Sequence, residues 1–253
     1  MSSKDVVTNE YSLLFGDCLE RMKEIPDGSV DMVLTDPPYG TTACKWDSVI
    51  PFDLMWEQLK RIIKPNGAIV LFGSEPFSSA LRMSNIKQYK YDWVWDKKKP
   101  GAIGIAKYQP LRYTENISVF YGKRCNYFPI MTEREKVKIS RNYKHSEINH
   151  ESLAAMSENK EYTHKFPSNI LEFSNASQKG KVHPTQKPVA LLEYLIKTYT
   201  QGGETVLDFT FGSCSTGVAC LNTNRKFLGI EMEEKYFDIG VKRMQESTMK
   251  GEK

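Results

Sequence analysis

The chain has 253 residues, enough for one large α/β core with an insertion. Its balance of 26% charged and 40% hydrophobic residues is ordinary for a globular protein, no apolar run approaches membrane-spanning length, and residues 1–10 lack a signal-peptide core, so a cytoplasmic protein without membrane association is expected. The formal net charge of +4 is uneven: residues 123–187 hold twelve Lys/Arg against seven Asp/Glu, which leaves the remainder at −1 and makes the middle of the chain a candidate for binding an acidic polymer.

Tyr11 to Phe15 reads as a strand ending at Gly16-Asp17, followed by a helix over 18–25 whose Leu19, Met22 and Ile25 share a face. Asp17 can cap that helix or contact a ligand at the strand's carboxyl end. After the turn Pro26-Asp-Gly28, the apolar run Val30 to Leu34 reads as a buried strand leading into Thr35-Asp36-Pro37-Pro38-Tyr39-Gly40. Neither proline can donate to a ladder, so the carbonyls of Asp36 and Pro37 are expected to point into the crevice where α/β sheets bind ligands. A carboxylate and a carbonyl there suit a planar amine, with the Tyr39 ring covering the heterocycle; a Pro-rich turn capped by Asp36 is the plain alternative.

Thr41 to Ser48 reads as a loop beside this site, with Trp46-Asp47 able to close over it. Asp53 is expected to cap a helix carrying Leu54, Leu59, Ile62 and Ile63, ended by Lys64-Pro-Asn-Gly67. Strand 68–72, helix 74–85 and an edge hairpin within 89–122 follow. In that hairpin, Tyr91, Trp93 and Trp95 share a face that reads as core. The loop Lys97-Lys-Lys-Pro-Gly-Ala-Ile-Gly104 offers Lys97, Lys98 and Lys99, joined by Lys107 and Arg112, for phosphate contacts, and Gln109 or Arg112 could reach a base edge.

The middle region, 125–181, has weak periodicity. Its His145, His150 and His164 lack the Cys pairs or H-E-x-x-H spacing of a metal site, so no metal is expected. Cys18, Cys44, Cys125, Cys214 and Cys220 form no C-x-x-C pair and read as reduced thiols. Pro188 is expected at the first position of a helix with the apolar face Leu191, Leu192, Leu195 and Ile196, entered through His183-Pro-Thr-Gln-Lys-Pro188.

Glu204 to Asp208 then reads as a strand, Gly212 to Ser215 as a small-residue loop, Val218 to Leu221 as helix, and Phe227 to Ile230 as a strand ending at Glu231. An acid about 20 residues past such a loop is placed to bind a ribose diol. The loop is G-x-C-x-x-G, with Cys214 where a pyrophosphate would need glycine. That argues against NAD and leaves a cofactor with a ribose but no pyrophosphate, such as S-adenosylmethionine.

Asp36-Pro-Pro-Tyr39, Asp208 to Thr216, His183 to Pro188 and Gly16-Asp17 together resemble the DNA amino-methyltransferases that modify adenine N6 or cytosine N4. The catalytic motif comes first and the cofactor loop last, as in the circularly permuted β class of that family, and the likeness spans roughly residues 11–122 and 183–245. The resemblance implies a Rossmann-like mixed α/β sheet with helices on both faces, a catalytic domain at 1–122 and 183–253, and a target-recognition insertion at 123–182. It implies S-adenosylmethionine as cofactor, bound by Asp17, Lys187, Asp208, Thr210, Gly212, Ser213, Cys214, Ser215 and Glu231, with Asp36, Pro37, Pro38 and Tyr39 catalytic. Lys187 would pair with the cofactor's carboxylate or cover the helix start. Double-stranded DNA would be the substrate of a monomer or homodimer, with a cognate restriction endonuclease as a candidate partner. An Asp opening the motif leans towards adenine. Cytosine N4, an RNA or protein amide, and DNA binding without catalysis remain the alternatives.

Overall fold

The computed structural model describes residues 3–41, 47–101, 104, 106–139, 161–175 and 186–251. Cys44, Trp46, His145, His150 and the run 183–185 lie outside the described residues. The strands, in chain order, are β1 (Val6–Val7), β2 (Tyr11–Phe15), β3 (Val30–Thr35), β4 (Ile63–Gly73), β5 (Tyr89–Gly101), β6 (Arg112–Phe120), β7 (Thr132–Ile139), β8 (Glu161–Lys165), β9 (Ile170–Glu172), β10 (Thr205–Asp208) and β11 (Lys226–Glu231). The helices are α1 (Cys18–Met22), α2 (Phe52–Ile62), α3 (Phe77–Ser84), α4 (Val189–Tyr199), α5 (Ser215–Asn222) and α6 (Glu234–Gly251).

The chain divides into two units, Met1–Phe128 with Asn169–Lys253, and Pro129–Ser168. The second is narrower than the expected insertion at 123–182. Asn126 and Phe128 donate to the carbonyls of Asn66 and Thr198, and β9 pairs with β5, so these flanks belong to the first unit. Within the second unit, β7 and β8 form an antiparallel ribbon.

The first unit carries a sheet of order β1-β2-β11-β10-β3-β4-β6-β5-β9. The five strands from β2 to β4 run parallel, and β6 reverses direction. Such strands are covered on both faces, so successive side chains enter different cores. Leu13, Met32, Leu34, Val70 and Val206 join α4, α5 and α6 on one face. Leu14, Val33, Ile69, Leu71 and Leu207 join α1, α2 and α3 on the other. Each fully buried aliphatic side chain contributes about 1.5–3 kcal/mol, which explains why the unbroken apolar runs, and not alternating ones, form these strands.

Several local expectations are corrected. The 89–122 hairpin is present, but β9 lies outside β5, so the hairpin is not the edge. The first helix ends at Met22; the chain continues to Ile25 in tighter turns, which Arg61 braces by donating to the carbonyls of Met22 and Ile25 (2.7 and 2.8 Å). Asp53 lies inside the first turn of α2, whose cap is Pro51, and Leu54 is half exposed. Pro188 is the cap of α4 and not its first residue. Residues 97–101, expected as loop, extend β5 beyond a break in register after Asp96.

Candidate active site

Because β2, β11, β10 and β3 are parallel neighbours, their carboxyl ends lie along one edge of the sheet. This edge carries Asp17, Glu231, Asp208 and Asp36 in that spatial order, on the segments leaving the four strands. At about 4.8 Å per strand the row spans roughly 15 Å. A cavity of about 730 Å³ runs along it, lined by all four acids, by Pro37, Pro38 and Tyr39, and by Thr210, Gly212, Ser213, Ser215 and Lys187. The sequence-expected groups, some nearly 200 residues apart, are thus brought to one place.

Asp36 lies in the cavity wall with both oxygens engaged. The Tyr39 hydroxyl donates to Oδ1, and Lys187 Nζ lies 2.6 Å from Oδ2. Burial pushes the Asp36 carboxyl above its ordinary range, while the Lys187 ammonium pulls it back. Burial also opposes the charge on Lys187, but Asp36 and Glu115 outweigh it and hold the ammonium protonated. Tyr39 stacks on Phe77 with centroids 5.0 Å apart and planes 29° from parallel, so one ring face is already covered. Its loop is fixed by Asp47, which accepts from the amides of Tyr39, Gly40 and Thr41 at 2.8–2.9 Å. The Asp36 carbonyl, expected to be free, accepts from the Thr210 hydroxyl at 3.3 Å and keeps one lone pair.

At the other end, Glu231 accepts from the amides of Gly212 and Glu233, both at 2.8 Å, tying the small-residue loop to β11. The carboxylate keeps lone-pair capacity for a ligand diol. Asp17 accepts from the amides of Leu19 and Glu20, so it caps α1 while also facing the cavity. Asp208 accepts from the hydroxyls of Thr216 (2.7 Å) and Thr35 (3.1 Å) and from the Thr210 amide (3.2 Å). Burial nevertheless raises its pKa from 3.8 to about 7. Cys214 is the correction here. It has φ +59° at the cap of α5, a left-handed conformation that costs an L-residue about 1–2 kcal/mol. Its side chain is fully buried, and it does not line the cavity. The sulfur packs instead into the core beside Gly217, where an added Cβ would lie 2.6 Å from it.

The model of the N6/N4 methyltransferase family, described as DNA methylase, matches residues 30–242. The chain belongs to this DNA methylase family. It is 27% identical over 267 residues to the Type II methyltransferase M.HinfI of Haemophilus influenzae, covering 93% of this chain and 68% of that one. It is 26% identical to the Type II methyltransferase M.HpaI of Haemophilus parainfluenzae, covering 93% and 74%. The fold matches a PvuII DNA methyltransferase (cytosine-N4-specific) with TM-score 0.70 at 18% identity, covering 96% and 91% of the two chains. It also matches an M1.HpyAVI–SAM complex with TM-score 0.62 at 25% identity, covering 92% and 98%.

Within this methylase the basic residues divide. Lys97 is buried and pairs with Glu115 at 3.1 Å, so it is not placed for phosphate contact. Lys98 is exposed but pairs with Asp96 and Glu172, at 3.2 and 2.7 Å. Lys99 and Lys107 are exposed, and exposed Arg112 donates to Ser74 Oγ. Tyr91, Trp93 and Trp95 pack as expected: Trp93 Nε1 donates to the Tyr199 hydroxyl and Trp95 Nε1 to the Phe173 carbonyl, both at 2.7 Å. Sequence reasoning missed Glu115 and Arg243. Arg243, on α6, donates to the Ser213 carbonyl and to Ser215 Oγ, bracing the loop from beneath.

Proposed function

We propose that the protein methylates N6 of adenine in double-stranded DNA, using S-adenosylmethionine. The observation that carries this reading is the single cavity holding both the acid row and the Asp36–Tyr39 turn. The residues present fit the cofactor. Asp17 and Glu231 offer acceptors for an adenosine, with the Gly212–Ser215 loop and Asp208 beside them. When bound, S-adenosylmethionine supplies the methyl group.

A base stacked in a duplex cannot reach Asp36, so the target nucleotide leaves the helix at a cost of a few kcal/mol. The Asp36 carboxylate accepts one amine proton as a hydrogen bond, and a backbone carbonyl of the turn takes the other. This directs the nitrogen lone pair along the cavity. Asp36 polarises and orients; it is not a strong base. The carboxylate at this position supports adenine over cytosine, in keeping with the lean of the resembling enzymes. Residues 129–168 are assigned to target recognition, since β7 displays Lys136 and Lys138.

The test is transfer of labelled methyl groups to duplex DNA, followed by nucleoside chromatography. N6-methyladenine supports the reading, N4-methylcytosine selects the cytosine alternative, and no transfer to any DNA overturns both. Asp36→Ala should lose transfer while keeping cofactor affinity.

A further inference from the structure

The acid and the lysine that meet beneath the reacting turn are part of a larger charge cluster. Lys187 Nζ lies 2.6 Å from Asp36 Oδ2 and 3.3 Å from Glu115 Oε2, and Lys97 Nζ lies 3.1 Å from Glu115 Oε1. Two cations and two anions alternate, so the cluster is neutral. Its bonds are not evenly made. Glu115 Oε2 is buried, and its contact with the Lys187 ammonium, at 3.3 Å, is longer and less well aligned than the one that the ammonium makes to Asp36 at 2.6 Å. The same ammonium rests over the Phe72 and Trp95 rings, 5.1 and 5.9 Å from their centroids. It therefore has a cation-binding floor, a short bond to Asp36 on one side and a longer one to Glu115 on the other.

We propose that Lys187 and Glu115 are positioning residues which hand Asp36 over to the target amine: Lys187 stays on Asp36 until the amine arrives, then shifts to Glu115. The inference rests on the amine-methylation reading above. While Lys187 holds Oδ2 and Tyr39 holds Oδ1, an incoming amine competes for a carboxylate already engaged. As its nitrogen bonds to the methyl carbon, the bond from that carbon to the sulfonium sulfur breaks with its electron pair left on sulfur. The nitrogen is positive until it gives up one proton through Asp36 to water, and an ammonium on the same oxygen would oppose that charge. Moving Lys187 to Oε2 satisfies the buried acceptor, withdraws the like charge and leaves the cluster neutral. Lys97 keeps Glu115 ionised for this exchange.

The groups facing Asp36 are Lys187, Tyr39 and Glu115, with Lys97 behind Glu115, Asp208 on the neighbouring strand and Asp47 beyond Tyr39. Activity requires ionised Asp36, so the acid limb of the rate profile follows its titration. Glu115 raises the Asp36 pKa and Lys187 lowers it. Glu115→Gln should therefore move the limb to lower pH, and Lys187→Met to higher pH. At neutral pH, Glu115→Gln leaves Lys187 with a single anionic partner and should lower kcat/KM on the order of tenfold, the effect of one charged hydrogen bond.

The experiment measures methyl transfer against pH with saturating cofactor, together with calorimetric cofactor affinity, for the wild-type protein and both variants. Wild-type transfer is read first; its absence fails the methylation reading and not the hand-over. With active wild-type, opposite shifts at cofactor affinities within twofold of wild-type support the hand-over. Shifts in one direction, no shift, or a tenfold loss of cofactor affinity in Lys187→Met overturn it, the last by placing Lys187 on the cofactor. Should a single variant fail to fold, the double variant removes one charge of each sign and should bring the limb back near the wild-type position; a limb far from it refutes the exchange.

Discussion

Tyr39→Phe separates two roles that the sequence could not distinguish. If Tyr39 acted only as a stacking surface, phenylalanine would replace it with little loss. In the structure one face of the ring is already taken by Phe77, and the hydroxyl donates to Asp36 Oδ1. The variant keeps the ring and removes the donor. A hydrogen bond to a charged group is worth about 1.5–3 kcal/mol, so kcat/KM should fall by roughly ten- to hundredfold. The pH dependence supplies a second signature. The Tyr39 bond lowers the Asp36 pKa, which burial otherwise raises, so removing it pushes that pKa up. Activity is lost as pH falls through the Asp36 pKa, and the acid limb must therefore move to higher pH. The deficit of Tyr39→Phe should be largest in acid and shrink as pH rises. Single-turnover methyl transfer at several pH values, at saturating cofactor, reads both effects. A Tyr39→Phe enzyme within twofold of wild-type across the range, beside a severely impaired Tyr39→Ala, would show that only the ring matters.

Cys214→Gly should be at least as stable as Cys214→Ala, because the roughly 1–2 kcal/mol of left-handed strain relieved offsets glycine's entropy cost of about 0.5–1 kcal/mol; denaturant melts showing glycine clearly less stable would remove the strain. Both variants should bind S-adenosylmethionine like the wild-type, since residue 214 does not line the cavity. Glu231→Ala should weaken cofactor binding by about 1–3 kcal/mol through loss of its acceptor and of the Gly212 tether, with Glu231→Gln intermediate; unchanged calorimetry for Ala would leave Glu231 a purely structural brace. For DNA binding, Lys99→Met and Lys107→Met should each reduce the salt slope by about 0.9, whereas Lys97→Met should leave it unchanged because that ammonium is buried on Glu115; a slope change for Lys97 alone would contradict its placement.

Much of the sheet could be read directly because its central strands are buried on both faces and so are rich in apolar residues: Ala68 to Phe72 without a break, Val30 to Leu34 around a buried Asp31, and Val206-Leu207 within β10. Their order is what the resemblance to the permuted methyltransferases implies, and the structure has β2, β11, β10 and β3 as parallel neighbours with Asp17, Glu231, Asp208 and Asp36 at their carboxyl ends. The elements missed were those set by partners distant in sequence. Strand β9 has three residues and exists because β5 offers a free edge. The turns that follow helix α1 are held by a guanidinium from α2, which donates to the Met22 and Ile25 carbonyls. The left-handed conformation of Cys214 is not legible in the sequence, since nothing local chooses its sign of φ. Space decides the direction of its side chain: Gly217 and Gly240 both lack the Cβ that would fill the region occupied by the cysteine.

The misreading of Lys97 has a physical cause that the sequence did contain. Three consecutive lysines look like a solvated run when counted as charge, but along a strand they alternate between faces. Trp93, Trp95 and Lys97 stand at a period of two, so the face that buries the two indoles also receives the first lysine; Lys98 falls on the other face, and Lys99 is exposed because the alternation ends at the break in register after Asp96, where Lys98 has φ +59°. An ammonium carried onto an apolar face requires an acid, and in a hairpin that acid comes from the partner strand. Glu115 stands opposite Trp95 in the β5–β6 register, two residues from Lys97 along the strand. A single acid in that position, next to a strand that buries a lysine, was the available signal for Glu115, a charged group of the site that no motif contains. The same pairing connects the outer hairpin to Asp36 through Lys187, so the charge state of the reacting turn depends on strands that carry none of the family's motifs.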